Sequence, residues 1–213
     1  LGVPIFQEQV MQLAVVAAGG LGVADAARTV RLRGRLMQAA VPVGEGAMAA
    51  VIGLEDEQVV AACGDEEEAG GGTVAAVNFN SPGQVVIAGH KASVEKAMEN
   101  ARRLGAKRAL PLPVSVPSHC ALMQSAAEEL YQKLLEIPLE MPASTVIHNQ
   151  NAAPAASVEE IRERLKLQLF QPVLWVDCVN AMKQAGIDSL IELGPGKVLT
   201  RSEERFSRNA ETV

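Results

Sequence analysis

The run Val114-Ser115-Val116-Pro117-Ser118-His119-Cys120-Ala121-Leu122-Met123 places one histidine where an apolar extended stretch gives way to a helix-compatible one. An imidazole at such a junction can project from a strand end into a cleft while the helix fixes its base. A proton-transferring group needs that placement, a nucleophile within hydrogen-bond reach and a partner that sets its tautomer. No Gly-x-Ser-x-Gly elbow occurs in the 213 residues, so the chain offers no serine of that pattern for the ring to activate. The other two histidines read differently. His90, beside Lys91 at a strand end, reads as solvated, and His148, ahead of Asn149-Gln150-Asn151, reads as a loop residue. Cys120 adjoins His119 but should point elsewhere on the helix, which argues against a Cys–His dyad.

Arg33 is the second candidate. It lies in Arg31-Leu32-Arg33-Gly34-Arg35 on a stretch rich in alanine and leucine. Flanked by Leu32 and Gly34, it can turn inward and grip a carboxylate in bidentate fashion. The alternative is that it joins Arg31 and Arg35 on a solvated cationic face. Gly194-Pro195-Gly196-Lys197 is not a phosphate loop, because it lacks the Walker spacing and its proline removes a donor. Asn78-Phe79-Asn80-Ser81-Pro82-Gly83 is more simply a hairpin turn than a site.

The elements that must position these residues begin as helix, break, helix. Val10 to Ala18 is apolar, Gly19-Gly20 interrupts, and Ala24 to Ala40 resumes with Ala27, Val30, Leu36 and Met37 on one face. From Gly46 the pattern changes. Ala47 to Ile52 reads as a strand and Leu54 to Ala62 as a helix with acidic residues in its first turn. Thr73 to Phe79 and Gln84 to Ala88 read as a hairpin, Ala92 to Leu104 as a helix and Lys107 to Leu112 as a strand. This β-α-β-β-α-β order is that of the ferredoxin-like split unit. After Pro117 the sequence predicts a helix from His119 to Leu135, a short strand at Thr145 to Ile147 and a helix from Val158 to Leu169. Ser157 and Glu160 are placed to cap that last helix. A helix from Pro172 to Met182 and a strand from Ser189 to Leu193 follow. Alternating strands and helices predict an α/β fold: a mostly parallel, helix-covered body over 1–45 and 115–213, with the ferredoxin-like βαββαβ unit, 46–114, inserted in it.

Composition bounds the function classes. Hydrophobic residues make up 48% and charged residues 21% of the chain, ordinary for a globular protein. The net charge of −6, with no run of cations, argues against a nucleic-acid partner. Three cysteines, Cys63, Cys120 and Cys178, are odd in number and far apart, which points to a reducing compartment such as the cytoplasm rather than to disulfides or zinc. The longest apolar run, Val10 to Ala24, is short for a membrane span, and no basic segment precedes it as a secretory signal would require. The chain begins with Leu1, as a processed or trimmed product would.

Several of these stretches together resemble malonyl-CoA:acyl-carrier-protein transacylase of bacterial type II fatty-acid synthesis. They are Ala24-Asp25-Ala26-Ala27-Arg28 through Arg33-Gly34-Arg35-Leu36-Met37-Gln38, Gly46-Ala47-Met48-Ala49-Ala50 and Val77-Asn78-Phe79-Asn80-Ser81-Pro82-Gly83-Gln84. Val116-Pro117-Ser118-His119, Gln168-Leu169-Phe170 and Glu192-Leu193-Gly194-Pro195-Gly196-Lys197-Val198-Leu199 continue the likeness. The resemblance implies an α/β-hydrolase-like body with a ferredoxin-like insertion. It implies ping-pong transfer of a malonyl group from coenzyme A to the phosphopantetheine thiol of acyl carrier protein, with those two substrates and no other cofactor. It further implies that His119 is the general base, that Arg33 clamps the malonyl carboxylate and that Gln168 accepts the second ring proton of the histidine. Counting back from Ala24-Asp25, the family's serine position falls near Glu8, in Phe6-Gln7-Glu8-Gln9-Val10, where there is neither serine nor elbow glycine. The family's N-terminal strand and glutamine-bearing oxyanion loop have no counterpart in this sequence. Arg201 to Val213 is polar where the family carries an amphipathic closing helix. The chain alone is therefore expected to have negligible transacylase activity. The alternatives are a non-catalytic fragment that binds acyl-CoA or acyl carrier protein, an inactive remnant, or an acyltransferase domain of a modular polyketide synthase.

Overall fold

The computed structural model describes residues 14–68, 72–114 and 116–187. A short helical turn at 14–17 leads through Gly20 to helix α1, Val23–Ala40. Then come β1 (Gly46–Ile52), α2 (Asp56–Glu68), β2 (Val74–Ser81), β3 (Gln84–His90), α3 (Lys91–Arg103) and β4 (Arg108–Pro111). A 3-10 turn, Ala121–Met123, runs into α4, Gln124–Leu135. The remaining elements are β5 (Ile147–His148), β6 (Ala153–Pro154), α5 (Val158–Leu167) and α6 (Trp175–Gln184). The strand predicted at Ser189 to Leu193, the Gly194-Pro195-Gly196 turn and the Phe6 to Val10 segment lie outside the described residues.

The four long strands form one sheet in the order β2-β3-β1-β4, with every neighbouring pair antiparallel. Pro82 and Gly83, the latter at φ +72°, close the two-residue turn between β2 and β3. Proline presets its own φ, and glycine takes the left-handed region without a Cβ clash. Near the far end of that hairpin Gly89 is required by close approach, because a Cβ there would lie 2.0 Å from the Thr73 carbonyl oxygen. Helices α2 and α3 cover one face, burying Val51, Val59, Val85, Ile87, Val94 and Ala97. The opposite face buries Met48, Val77, Val86 and Ala88 against Cys120, with Leu112, Val114 and Leu122 alongside. The chain that carries His119 is thus the packing partner of the sheet's second face. The alanine-rich β1 has weak strand propensity, yet it sits between β3 and β4, where small side chains let helices approach closely.

A second core lies between α1, α4 and α5, built from Ala26, Met37, Met123, Leu130, Leu134, Ile161, Leu165 and Leu169. The face of α1 differs from the predicted one. Ala27 is exposed, and the buried stripe is Ala26, Thr29, Arg33 and Met37, which repeats at helical spacing. Capping of α5 is as the spacing predicts: the Glu160 amide donates to Ser157 Oγ at 3.1 Å. The Glu160 carboxylate reaches back to the Ala156 amide at 2.6 Å, one residue further out than in the usual reciprocal box.

The mostly parallel sheet of the sequence reading is absent among the described residues. Among the described residues the only sheet besides the four-stranded one is the antiparallel pair β5–β6, where Ile147 faces Pro154 and His148 faces Ala153. The one parallel pairing among them is an isolated bridge between Asn78 of β2 and Val173.

Two neighbouring leucines test the helical core. Leu130 is fully buried, while Leu135 on the same helix is 50% exposed. Leu130→Ala is expected to lower unfolding free energy by about 2–5 kcal/mol, and Leu135→Ala by about 0.5 kcal/mol or less, both read from urea denaturation.

Candidate active site

His119 does not begin a helix. It adopts φ +65°, and only two non-glycine residues among those described have positive φ. A side chain in this region costs roughly 1–2 kcal/mol unless its surroundings hold it there. What holds it is the end of α5, 49 residues away in sequence. The last carbonyls of a helix have no intrahelical donor. His119 satisfies two such groups: its main-chain N–H donates to the Leu169 carbonyl at 2.9 Å, and its ring Nδ1 lies 2.6 Å from the Gln168 carbonyl oxygen. A carbonyl oxygen can only accept, so Nδ1 carries the proton in this bond and Nε2 of the neutral ring keeps its lone pair. Upstream, the Ser118 amide donates to the Val116 carbonyl at 3.0 Å. Downstream, Met123 N–H to the Cys120 carbonyl at 3.0 Å closes the 3-10 turn. The helix predicted to start at His119 is displaced because its first residue is recruited by α5.

Gln168 faces the ring with its main chain. Its side chain runs elsewhere: Nε2 donates to Asn149 Oδ1 at 2.9 Å, and both residues are buried. Asn149 also accepts, through its own carbonyl, the Leu174 amide at 2.7 Å. One residue earlier, Val173 exchanges main-chain hydrogen bonds with β2, donating to the Val77 carbonyl at 2.8 Å and accepting from the Phe79 amide at 3.0 Å. The segment Gln168 to Leu174 therefore joins the His119 turn, the β5 region and the four-stranded sheet.

Arg33 is 3% exposed and lies on the inward stripe of α1, not on the solvated face with Arg31 and Arg35. Helix α1 packs against α4 and against the 3-10 turn that follows His119. A guanidinium keeps its charge wherever it is buried. Its element and the turn that follows His119 are thus brought into contact.

The other candidates fall differently from their sequence reading. His90 is half-buried rather than solvated, and its Nδ1 accepts the Thr73 amide at 3.1 Å. His148 belongs to β5, not to a loop, and is 3% exposed. Burial, with the nearby Arg164 charge and against the pull of Glu160, pushes its pKa down to about 4. Cys120 donates to the Pro117 carbonyl at 3.1 Å, and burial raises its thiol to about 11, so it is no thiolate partner for His119. Burial likewise raises Cys63 and Cys178 to about 12. Sequence reasoning missed Asn149. A polar run directly after a strand carried a signal, but loops and buried networks share that composition. Among the described residues no group of three or more His, Cys, Asp or Glu is arranged to hold a metal, and no helix is long and apolar enough to cross a membrane.

The low pKa of His148 makes stability pH-dependent. Its folded value lies below the unfolded value near 6.5, so the unfolded chain binds the extra proton and stability falls as pH drops. The loss is expected to begin near pH 6.5, to level off near pH 4 and to reach on the order of 3 kcal/mol. His148→Gln should remove that part of the slope in urea titrations at stepped pH.

Comparison with known proteins places the chain. The model of the acyl transferase domain family matches residues 13–213. Malonyl CoA-acyl carrier protein transacylase of Escherichia coli K12 is 52% identical over 91% of this chain and 62% of its own length. The chain thus spans about 62% of that relative. An acyl carrier protein S-malonyltransferase from Vibrio cholerae superposes with a TM-score of 0.89 at 51% identity, covering 92% of this chain and 64% of its own. A malonyl-transacylase solved in complex with a type II PKS acyl-carrier protein superposes with a TM-score of 0.90 at 47% identity, over 93% and 63% of the two chains. With the family model matching nearly the whole sequence and these relatives sharing about half its residues, the chain belongs to the acyl transferase domain family.

Proposed function

We propose that this chain carries the base and the carboxylate clamp of a malonyl transferase, an enzyme of fatty-acid biosynthesis in the cytoplasm that moves malonyl from coenzyme A to the phosphopantetheine thiol of acyl carrier protein. The observation that carries the reading is the 2.6 Å contact between His119 Nδ1 and the Gln168 carbonyl oxygen. With Nδ1 committed to the Gln168 carbonyl, Nε2 is the nitrogen that can take a proton. In this reading the nucleophile is a serine hydroxyl on a Gly-x-Ser-x-Gly elbow, which the 213 residues do not contain. Its proton passes to Nε2 as the oxygen attacks the malonyl thioester carbonyl. The coenzyme A sulfur leaves and takes the proton back, and a malonyl-serine ester remains. The carrier-protein thiol repeats the sequence in reverse, giving its proton to Nε2 and returning the serine hydroxyl. The Gln168 carbonyl accepts from Nδ1 whether the ring is neutral or cationic, so the ring need not turn between the two half-reactions. Buried Arg33 supplies a planar pair of donors for the malonyl carboxylate.

The same reading sets the architecture: a ferredoxin-like unit, 46–114, inserted in an α/β-hydrolase-like body, 1–45 and 115–213. Strand order β2-β3-β1-β4 supports the first part. Substrates are the only small molecules the reading requires, with no metal or separate cofactor, and neither a nucleic-acid nor a membrane partner enters it. The one further reading is a non-catalytic fragment that binds acyl-CoA or acyl carrier protein. Titration of each without turnover distinguishes it.

Incubated alone with labelled malonyl-CoA, the chain is expected to show no covalent adduct by intact mass. Fused behind the elbow-bearing segment of its Escherichia coli relative, it should form the adduct and pass it to carrier protein. In that fusion His119→Ala should slow transfer by about 10²–10⁴-fold, and Arg33→Ala should erode the preference for malonyl over uncharged acyl thioesters. Adduct formation at catalytic rates by the chain alone, or a fusion indifferent to His119→Ala, would overturn the proposal.

A further inference from the structure

We infer that Asn149 is a positioning residue for His119, acting through the Gln168 to Leu174 segment; the inference rests on His119 being the base. The imidazole makes no hydrogen bond to the Gln168 side chain. Its acceptor is a main-chain carbonyl, and a carbonyl is only as well placed as the peptide that bears it. That peptide is the C-cap of α5, its N–H bonded to the Arg164 carbonyl at 3.0 Å, and the amides of Leu169, Phe170 and Gln171 turn back onto the Lys166 and Leu167 carbonyls. Those bonds hold the main chain locally; fixing the segment against its neighbours needs other restraints. Asn149 supplies one at each end of the segment: its side-chain oxygen takes Gln168 Nε2 at 2.9 Å, and its carbonyl takes the Leu174 amide at 2.7 Å.

The environment makes this clamp consequential. Asn149 is 7% exposed and Gln168 and His119 are 2% exposed, so water cannot readily replace a lost partner. Gln168 Oε1 has no hydrogen-bond partner, which leaves Asn149 as the sole polar anchor found for that side chain among the described residues. Release of the amide lets the Gln168 peptide rotate or shift, and a few tenths of an ångström suffice to weaken a 2.6 Å contact. The imidazole then loses the acceptor that selects the Nδ1–H tautomer, and the Nε2–H form, useless as a base toward a serine, gains population.

The test is the side-chain tautomer of His119 in long-range ¹H–¹⁵N spectra of the full chain. The unsubstituted chain should show the proton on Nδ1 and none on Nε2. Asn149→Leu, similar in size and without an acceptor, should raise the Nε2–H population about tenfold. Asn149→Asp keeps the acceptor and should restore the original tautomer. Asn100→Leu removes a different buried amide, the donor to the Ala62 carbonyl, and should leave His119 unchanged. Gln168→Met provides a second route should Asn149→Leu fail to fold. It keeps the carbonyl, removes the tether and should give the same shift. A folded Asn149→Leu or Gln168→Met protein with an unaltered His119 tautomer overturns the inference. The readout needs no acyl transfer. A tautomer that follows Asn149 in a fusion that transfers nothing upholds the coupling and sinks the acyl-transfer reading, whereas an indifferent tautomer in an active fusion does the reverse.

Discussion

Two carbonyl groups at the spent end of helix α5 organise much of what surrounds them. A helix leaves its final carbonyls without donors, and here a residue 49 positions distant fills two of them with its own amide and its ring. That double contact fixes three things together. It holds His119 at φ +65°, a conformation its own sequence neighbours would not choose. It decides which ring nitrogen bears the proton. It also sets where α4 can start, because the residues after His119 must turn through a 3-10 segment before regular helix resumes.

The same contact explains how two cores share one chain. Residues just before and after His119 pack on the second face of the four-stranded sheet, through Val114, Cys120 and Leu122. Residues a turn later, Met123 and Ala126 onward, belong to the helical core with α1 and α5. Buried apolar surface on both sides makes the intervening turn rigid, since moving it would open cavities in two places at once. The inward stripe of α1 enters this second core and brings the buried Arg33 with it. Placing a cation there is costly unless its surroundings answer it, and composition alone could not settle that burial.

What the sequence showed plainly was local. Pro82-Gly83 dictates a turn through its own backbone preferences, and Ser157 with Glu160 dictates a helix start through a bond three residues long. The strand–helix alternation from residue 46 to 111 follows from apolar patterning of a length each element can use. What stayed hidden was non-local. His119 looked like a helix start because nothing nearby forbids one; the carbonyls that draw it away lie beyond α5. The ring contact of Gln168 is made by an atom every residue possesses, so no side-chain pattern could assign it. His148 and Asn149 sit in a run whose polarity fits a solvated loop, and only their burial, with the Cys178 thiol on the His148 carbonyl, reveals that the run is enclosed. Among the described residues the strand predicted at Thr145 to Ile147 is the two-residue β5, Ile147–His148, because alternation does not tell a long paired strand from a two-residue bridge.

Val173 gives the arrangement a mechanical character. It is stitched to β2 from both sides of its peptide, while the other end of its seven-residue stretch carries the carbonyls that grip the imidazole. Any tilt of the sheet relative to the helices would tug on that strap and shift the imidazole of His119. The two halves are consequently tied together, and any opening between them would first have to break the pair of main-chain bonds at Val173.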